Sequence, residues 1–364
     1  MSHIVIDARE SGTSTGRYVD ALIEHLHKLQ PKHRVTLIAK PERKAFLGII
    51  APDFEFIETN YKEFTLGDQL GFRRQLSLLN ADLVHFPMVQ QPILYGGLVV
   101  TTMQDLTTIR FRNPAKNLLV FWCKQQVYKV LNVAIAHKSR LLITPSQFVK
   151  NDVAEYCHIS PEKITVTLEA ADLMPEGSTP VAELEGKQFI MYVGRPTPHK
   201  NLARLIDAFV ELQASHPDLV LVLAGKKDYN YRQHEARVQK NGIKGVIFTD
   251  FIPDEQLRWL YEHCAAYVFP SLSEGFGLPG LEAMLHGAPV VSSNATCLPE
   301  VHGDAAHYFD PLDVHDMATR ISEVIDNESL RTDLIAKGKA RAATFSWERM
   351  ATQTLEVYNR ALGK

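Results

Sequence analysis

The chain has 364 residues, which is long enough for two ordinary domains with a large buried core. Its composition, 45% hydrophobic and 22% charged residues, is typical of a globular protein and excludes a disordered chain. The formal net charge of −3 gives no electrostatic reason to expect nucleic acid as a partner.

The first half of the chain alternates short β-branched runs with longer amphipathic segments, which include Thr15–Leu29 and Ser146–Tyr156. The predicted strands are residues 3–7, 34–38, 81–86, 98–103, 140–144 and 163–168. Buried strands that alternate with helices predict a parallel, doubly wound sheet. Residues 1–171 are therefore expected to form a first Rossmann-like domain.

The second half repeats the pattern, with predicted strands at residues 188–194, 218–225, 245–251, 265–270 and 288–293. Residues 172–187 are rich in Pro, Gly and acidic residues and predict a linker. Residues 188–345 are expected to form a second Rossmann-like domain. Residues 346–364 predict a C-terminal helix capped by Ser346, which we expect to pack back on the first domain. Ligands of such sheets bind at the carboxyl ends of strands, so functional residues should follow strands.

The loop GRPTPHKN, residues 194–201, directly follows the predicted strand QFIMYV. Gly194 permits a tight turn there. Arg195 and Lys200 are placed to meet a diphosphate, because arginine clamps two oxygens and lysine acts as a point charge. Asn201 or His199 is expected to cap the helix that follows. The alternative is a basic strand-to-helix loop that binds no ligand.

The stretch SEGFGLPGLEA, residues 273–283, follows the predicted strand AAYVFP. Pro279 suits the first turn of a helix, and the free N–H groups at such a helix start attract phosphate. Gly275 and Gly277 allow the backbone to approach a ligand closely. Glu274 and Glu282 supply carboxylates that accept hydrogen bonds from vicinal hydroxyls. The alternative is an ordinary strand–loop–helix connection with two solvated glutamates.

The two loops together resemble the large retaining glycosyltransferase family 4, in which the E-x7-E pattern from Glu274 to Glu282 is the signature. The resemblance extends over nearly the whole chain and includes residues 166–172, 248–277 and 287–311. Residues 7–26 are similar to the opening of bacterial, mannosyltransferase-like members. The resemblance implies the GT-B fold, in which two Rossmann-like α/β domains face a cleft.

The resemblance also implies roles for individual residues. Arg195 and Lys200 would hold the donor diphosphate, Glu282 the ribose and Glu274 the donor sugar. The donor site would further include Gly194, Lys226, Phe251, Ile252, Gly275, Phe276, Gly277 and Leu278. An acceptor-side group would comprise Gly12, Gly16, Arg17 and Gln104, and Asp105 would be catalytic. From the residues alone, GTSTGRY at 12–18 is either a loop beside a polar ligand or a flexible turn.

Two positions depart from the family pattern. The family usually carries a His-Asp pair after a mid-domain strand, and here Gln104 precedes Asp105. The family's histidine contacts the donor sugar, whereas glutamine donates a hydrogen bond but does not titrate near neutral pH. Asp105 is either catalytic or caps the following loop. The Asn-Gly turn of many relatives is replaced by Glu169-Ala170, and Glu169 either faces the cleft or is exposed.

The leaving diphosphate can be stabilised by a metal ion or by Arg, Lys and a helix start. The sequence contains no HExxH motif and no DxD motif followed by obvious metal ligands. We therefore predict metal-independent transfer with no cofactor. The family's retaining outcome implies attack on the face that the leaving group departs from. The four cysteines form no CxxC motif and are expected to be reduced thiols in a cytoplasmic protein.

Residues 106–151 contain no Asp or Glu and eight Lys or Arg, among them Arg112 and Lys116. A long basic amphipathic helix is predicted after Pro114, and such a helix can lie on anionic lipid. Peripheral contact of residues 110–140 with the inner face of the cell membrane is one interpretation. A core-packed helix with a basic outer face and a phosphate-bearing acceptor are the others. We expect neither a signal peptide nor a spanning helix.

The sequence as a whole predicts hexosyl transfer from a nucleotide-diphosphate sugar, GDP-mannose in the first instance. The acceptor would be a glycan or a lipid-linked glycan in surface polysaccharide synthesis. One alternative is a UDP-sugar transferase for glucose, galactose or GlcNAc. Another is a catalytically weakened, nucleotide-binding partner subunit, which is suggested by Gln104 at the position of the family's histidine. The E-x7-E loop argues against a sugar-nucleotide epimerase. A further alternative is a dinucleotide-dependent oxidoreductase, which would require a strand–GxGxxG–helix unit with an acidic residue about 20 positions on.

Overall fold

The computed structural model describes residues 1–13, 16–63, 65–111 and 118–364, and the side chains of 118–121 and 123 lie outside the described part. The chain divides into two compact units. Unit 1 comprises Met1–Ile109, Cys123–Glu169 and Ser346–Lys364, and unit 2 comprises Arg110–Trp122 and Ala170–Phe345.

Unit 1 is built on a seven-stranded sheet in the order β3-β2-β1-β4-β5-β6-β7, in which every pair is parallel. Its strands are β1 (His3–Asp7), β2 (Arg34–Ala39), β3 (Glu55–Glu58), β4 (Leu83–Phe86), β5 (Val99–Thr102), β6 (Leu141–Thr144) and β7 (Ile164–Val166). The central strand β1 pairs through Ile4, Val5 and Ile6, which are fully buried. Burial on both faces explains why these strands are continuous apolar runs.

Unit 2 is built on a six-stranded parallel sheet in the order β10-β9-β8-β11-β12-β13. Its strands are β8 (Phe189–Val193), β9 (Val220–Ala224), β10 (Val246–Asp250), β11 (Ala266–Phe269), β12 (Val290–Ser293) and β13 (Ala306–Phe309). The prediction of two doubly wound parallel sheets is thus confirmed. The edge strands β3 and β13 were not predicted, because EFIE and AHYF contain only one β-branched residue between them.

The helices connect the strands in the order that the sequence predicts. They are α1 (Arg17–Lys28), α2 (Lys44–Ile50), α3 (Arg73–Leu78), α4 (Thr107–Arg110), α5 (Leu118–Lys138), α6 (Gln147–Cys157), α7 (Leu202–Leu212), α8 (Tyr229–Lys240), α9 (Asp254–His263), α10 (Leu278–Leu285), α11 (Leu298–His302), α12 (Val314–Asp326), α13 (Glu328–Ala342) and α14 (Trp347–Ala361). Ser346 caps α14 by accepting a hydrogen bond from Arg349 N, as expected. Within unit 1, α14 packs against α1.

The segment 172–187, predicted as a linker, lies within unit 2 and contains one short 3-10 turn, Ala182–Leu184. Three hydrogen bonds attach it to unit 2. Met174 N donates to His286 Nε2, Arg258 Nη1 donates to Pro175 O, and Thr179 N donates to Glu255 O. The segment therefore follows the surface of the second unit.

A buried cation lies in the core of unit 1. The Arg9 guanidinium, 1% exposed, binds Asp7 through Nε and Nη2 and Asp68 through Nη1, with N–O distances of 2.7–3.1 Å. It also stacks 3.8 Å above the Phe72 ring. Burying a charge is favourable only when it is paired, and here the two carboxylates that flank Arg9 supply the pairing.

Candidate functional site

The start of α10 in unit 2 is an uncapped helix terminus built from glycine and proline. Gly277 is the N-cap residue at φ 104°, no side chain caps the helix, and Pro279 lies in its first turn as predicted. A Cβ on Gly277 would lie 2.8 Å from Leu298 Cδ2, and one on Gly280 would lie 2.2 Å from His302 Nε2. Neither Gly277 nor Gly280 can therefore be replaced by a residue with a side chain without displacing a neighbour. Among the described residues, no side chain accepts a hydrogen bond from the first backbone N–H groups of α10.

Glu274 and Lys200 form an ion pair beside this helix start. Lys200 Nζ lies 2.6 Å from Glu274 Oε1, and the two side chains are 20% and 12% exposed. Thr296 Oγ1 accepts from the Glu274 backbone N–H, and the Cys297 thiol contacts the Glu274 carbonyl at 3.3 Å. Two residues that were predicted to bind different parts of one ligand therefore bind each other, 74 positions apart in the chain.

Glu282 is the fifth residue of α10 and is buried. Its carboxylate accepts a hydrogen bond of 3.3 Å from Tyr261 OH. Its carbonyl is 2.8 Å from His286 Nδ1, and His286 Nε2 accepts from Met174 N. Burial lowers the pKa of His286, so the ring is neutral, with its proton on Nδ1. A buried, oriented carboxylate of this kind is suited to a neutral hydroxyl.

The loop after β8 presents one exposed cation. Gly194 has φ 143°, and a Cβ there would lie 2.8 Å from Tyr192 OH. Arg195 is exposed, and its guanidinium has no ion-pair partner in the part of the chain that the structure describes. Burial lowers the pKa of His199 to about 4, and Lys200 acts in the same direction. His199 is therefore neutral, and Arg195 and Lys200 supply the positive charge of this loop.

The prediction that Asn201 or His199 caps α7 is wrong. Asn201 stands at the N-cap position with φ 61° and makes no side-chain cap. Its Nδ2 donates instead to the carbonyls of Pro270, at 3.0 Å, and Pro311, at 2.7 Å. Asn201 thereby ties the loop after β8 to the loop after β11, a long-range bond for which the sequence gives no local signal.

The predicted base-side residues follow β9 and β10. Lys226 is exposed, Ile252 is half-buried, and Phe251 is 78% exposed. Asp250 has φ 63°, and its Oδ1 accepts from Lys227 N at 2.9 Å and from Phe251 N at 2.8 Å. These two bonds lower the pKa of Asp250 and hold the two loops together.

In unit 1, the segment before α1 is fixed by an acidic side chain. Gly12, at φ 76°, donates to Asp20 Oδ2 at 3.1 Å, and the side chain of Arg43 lies where its Cβ would be. A Cβ on Gly16 would lie 1.7 Å from the Glu10 carbonyl. Arg17, the first residue of α1, acts on Glu169 and lowers its pKa.

Gln104 and Asp105 follow β5 and have different surroundings. Asp105 Oδ1 accepts from Thr107 N at 2.8 Å at the start of α4, which is the local role that the sequence suggested. The catalytic role of Asp105 stays a prediction. Gln104 is half-buried, and it also lowers the pKa of Glu169.

Glu169 is buried, with 4% of its surface exposed, so the interpretation as an exposed carboxylate is wrong. Desolvation raises the pKa of its carboxyl group to about 7, while Arg17 and Gln104 oppose the increase. Behind it, Tyr18 OH contacts Thr102 Oγ1 at 3.1 Å, and Thr102 Oγ1 contacts His85 Nε2 at 2.9 Å. Burial lowers the pKa of His85 to about 3, so this hydrogen-bond chain is neutral.

Helix α5 presents a mixed apolar and basic outer surface. Trp122, Val127 and Val130 are exposed, and so is Lys124. Lys138 is half-buried and donates to the carbonyls of Pro92 and Ile93, and burial lowers its pKa to about 8. Arg112 and Lys116, also predicted to belong to this basic surface, lie outside the described residues. None of the described helices combines the length and the hydropathy needed to span a bilayer.

Each half of the chain matches a family model. Residues 15–173 match the family model for "Glycosyltransferase Family 4", and residues 178–341 match that for "Glycosyl transferases group 1". The O-antigen chain mannosyltransferase B of Escherichia coli is 32% identical over 272 residues, which cover 71% of this chain and 69% of that protein.

A second relative is much longer than this chain. The serotype-specific mannosyltransferase WbdA of Escherichia coli is 34% identical over 233 residues, which are 60% of this chain and 28% of WbdA. Among solved structures, Anabaena Alr3699/HepE in complex with UDP and glucose matches with a TM-score of 0.74 at 19% identity, over 99% of this chain and all of that one. The chain therefore belongs to glycosyltransferase family 4, adopts the GT-B fold, and is a hexosyltransferase of a bacterial mannosyltransferase-like branch.

Proposed function

We propose that the chain transfers a hexosyl group from a nucleotide-diphosphate sugar to a glycan or a lipid-linked glycan, with retention of configuration and without a metal ion. The observation on which the proposal rests is the Lys200–Glu274 ion pair beside the uncapped start of α10. It combines a cation and helix N–H donors for phosphate with a carboxylate for sugar hydroxyls. Similarity to the O-antigen chain mannosyltransferase B supports mannose as the sugar and surface polysaccharide as the product. GDP-mannose is the donor that we propose in the first instance.

The leaving diphosphate would be stabilised by protein groups alone. Arg195 offers an exposed guanidinium, Lys200 an ammonium, and α10 the positive end of its dipole. Within the described residues, no three His, Cys, Asp or Glu side chains converge as a metal site would require. The proposal of metal independence rests on Arg195 and Lys200, whose positive charges would take the place of a metal ion beside the diphosphate. Hydrolysis of the donor in the presence of EDTA tests it directly.

In the proposed step, an acceptor hydroxyl oxygen bonds to the anomeric carbon while the bond from that carbon to the diphosphate oxygen breaks. The acceptor proton passes to the departing phosphate oxygen, and attack on the same face retains the configuration. Glu274 would orient the donor sugar through its hydroxyls. Glu282 would bind the ribose, and the exposed Phe251 ring with Lys226 would flank the base.

Two alternatives have support of their own. A UDP-sugar donor is supported by the likeness of the fold to HepE, which was crystallised with UDP and glucose. A catalytically weakened, nucleotide-binding partner subunit is supported by Gln104, which cannot titrate near neutral pH. Binding of a nucleotide without turnover in the presence of acceptors would favour the second alternative.

The proposed place of action is the cytoplasmic face of the membrane. The exposed Val127 and Val130 lie on α5 near Lys124, and this part of the sequence carries no acidic residue. Apolar side chains that enter the lipid interface beside lysines are typical of peripheral contact with anionic lipid. Val127→Glu/Val130→Glu should abolish sedimentation with vesicles that contain phosphatidylglycerol. Equal sedimentation of both proteins would contradict this contact.

A donor panel tests the proposed function. Melting temperature and sugar hydrolysis are measured with GDP-mannose, UDP-glucose, UDP-galactose, UDP-GlcNAc and ADP-glucose, with and without EDTA. The proteins are wild type, Glu282→Ala and, as a matched control, the exposed Glu185→Ala. A ligand at 100 times its Kd stabilises the native state by about 2.7 kcal/mol, which is readily seen as a shift in Tm.

We expect one donor, GDP-mannose in the first instance, to raise the Tm of wild type and of Glu185→Ala and to be hydrolysed despite EDTA. Glu282→Ala should show neither effect. A panel without any Tm shift would contradict the donor site, and hydrolysis abolished by EDTA would contradict metal independence.

A further inference from the structure

The loop after β12 supplies two consecutive side chains that hold the backbone of Glu274. Thr296 Oγ1 accepts a hydrogen bond of 3.1 Å from the Glu274 N–H. The Cys297 thiol lies 3.3 Å from the carbonyl oxygen of Glu274 and 3.3 Å from that of Phe276. Both backbone polar groups of Glu274 are therefore bound by side chains that lie 22 and 23 positions further along the chain.

The Cys297 thiol is the donor in its contacts. The side chain is fully buried. Burial, followed by the charges of Glu274 and Glu300, raises the pKa of the thiol well above its usual value, while the Thr296 side chain opposes the increase. The thiol is therefore protonated, and a protonated thiol is a weak hydrogen-bond donor for a carbonyl oxygen.

Thr296 adopts a backbone conformation that its own side chain disfavours. Its φ is 55°, and among the described non-glycine residues with positive φ it is the one with a β-branched side chain. Strain of this kind persists only where the surrounding structure fixes it, and it is concentrated at functional sites. Glycine would adopt this conformation freely but would lack the hydroxyl that binds the Glu274 N–H.

The residues after Cys297 contact the same loop. Leu298 and His302 lie so close to Gly277 and Gly280 that neither glycine has room for a Cβ. Segment 296–302 thus supports residues 274–280 from below, while Lys200 binds the carboxylate of Glu274. Glu274 is held at its N–H, its carbonyl and its carboxylate, as a group that orients a substrate requires.

We propose that Thr296 and Cys297 are positioning residues of the donor site, which hold the backbone of Glu274 so that its carboxylate meets the hydroxyl groups of the donor sugar. This inference rests on the proposed function and extends it to two residues that act through Glu274. Because they hold the residue that orients the sugar, their loss should impair the reaction of the sugar and spare the binding of the nucleoside diphosphate.

The test separates the hydroxyl of Thr296 from its backbone strain. Thr296→Val keeps the shape of the side chain and removes the hydroxyl, Thr296→Ser keeps the hydroxyl, and Thr296→Gly removes both the hydroxyl and the strain. Cys297→Ala removes the thiol, and the exposed Thr332→Val in the same unit is the matched control. Each protein is assayed for Tm, for the Kd of GDP and of UDP, and for kcat and KM of hydrolysis of the donor that the panel identifies.

In Thr296→Val, we expect kcat for donor hydrolysis to fall by about tenfold or more, because the sugar is no longer held in its reacting position. The Kd of the nucleoside diphosphate should change by less than about threefold, and Cys297→Ala should show the same pattern more weakly. Thr296→Ser and Thr332→Val should hydrolyse the donor within about threefold of the wild-type rate.

Thr296→Gly gives the readout that a merely structural role would not produce. Relief of the left-handed strain should raise its Tm above that of Thr296→Val, whereas its hydrolysis of the donor should be equally slow. If Thr296 only stabilised unit 2, the rate of hydrolysis would instead follow the Tm.

Wild-type hydrolysis by Thr296→Val or Thr296→Gly would overturn the proposal. So would a Thr296→Ser variant as slow as Thr296→Val, or a loss of nucleoside diphosphate affinity as large as the loss of hydrolysis. Wild-type hydrolysis by Cys297→Ala would overturn the role of the thiol. Failure of wild type itself to bind or hydrolyse any donor is a different outcome, because it refutes the proposed function and this inference together.

Discussion

Replacement of Glu169 by glutamine should change the stability of unit 1 by an amount that depends on pH. In the folded protein, burial raises the pKa of this carboxyl group from 4.5 to about 7. Folding therefore favours the neutral, protonated form of Glu169. The protonated carboxyl group adds to the free energy of unfolding below pH 4.5, and this contribution is lost as the pH rises to about 7.

The size of the effect follows from the shift. A difference of roughly 2.5 pKa units, at about 1.4 kcal/mol per unit, corresponds to about 3 kcal/mol. The glutamine variant does not titrate. Its free energy of unfolding, relative to wild type, should therefore rise by about 3 kcal/mol between pH 4.5 and pH 8.

Urea unfolding at a series of pH values measures this difference, because the other titrating groups are common to both proteins. Trp347 is buried at the start of α14 in unit 1, so its fluorescence reports on that unit when Trp122 and Trp259 are replaced by phenylalanine. Glu155→Gln, on an exposed carboxylate, should show no such pH dependence. A Glu169→Gln difference that stays constant within about 0.5 kcal/mol from pH 4.5 to pH 8 would refute the reasoning.

Three further substitutions test the packing beneath the site, with urea unfolding as the measurement. Asn201→Gly keeps the left-handed backbone but leaves the carbonyls of Pro270 and Pro311 unpaired, so it should destabilise unit 2 by about 2–4 kcal/mol; a loss below about 1 kcal/mol would contradict the tether. Gly280→Ala places a methyl group against His302 and should cost about 1–3 kcal/mol, in part recovered by His302→Ala, whereas Gly48→Ala, with no atom within 4 Å, should be neutral or stabilising. Arg9→Ala leaves Asp7 and Asp68 buried without their cation and should cost about 3–5 kcal/mol in unit 1; near-neutral behaviour would mean that water replaces the guanidinium.

The strands were predictable where the sequence is rich in β-branched residues, because these favour the extended backbone. The two missed strands, β3 (EFIE) and β13 (AHYF), contain one β-branched residue between them. The other two edge strands, β7 (ITV) and β10 (VIFTD), are also largely half-exposed, but each contains three β-branched residues and each was predicted. Composition, and not position at the edge of the sheet, therefore decided which strands could be found.

The positions of the candidate site residues were predictable, but their partners were not. Strand ends can be located from local pattern, and Glu274, Lys200 and Arg195 were found in that way. The bond from Asn201 to Pro270 and the contact of Tyr261 with Glu282 join different loops and helices. The surroundings of Glu169 likewise include residues far from it in the chain, because Arg17 and Gln104 both act on its pKa, and EAAD contains no local signal for its burial.

The Lys200–Glu274 pair also bears on how a donor would bind. Both side chains are largely buried, and each satisfies the charge of the other in the unliganded protein. In the proposed complex, the Lys200 ammonium therefore binds the donor phosphate in addition to Glu274. The Glu274 carboxylate likewise binds sugar hydroxyls in addition to Lys200. Truncating either residue would leave the other with an uncompensated, partly buried charge. A loss of donor binding in such a variant would thus combine a missing contact with a perturbed partner. Glu282 accepts a hydrogen bond from Tyr261 and lies outside that ion pair, so a Glu282 variant tests the donor site while both members of the Lys200–Glu274 pair stay in place.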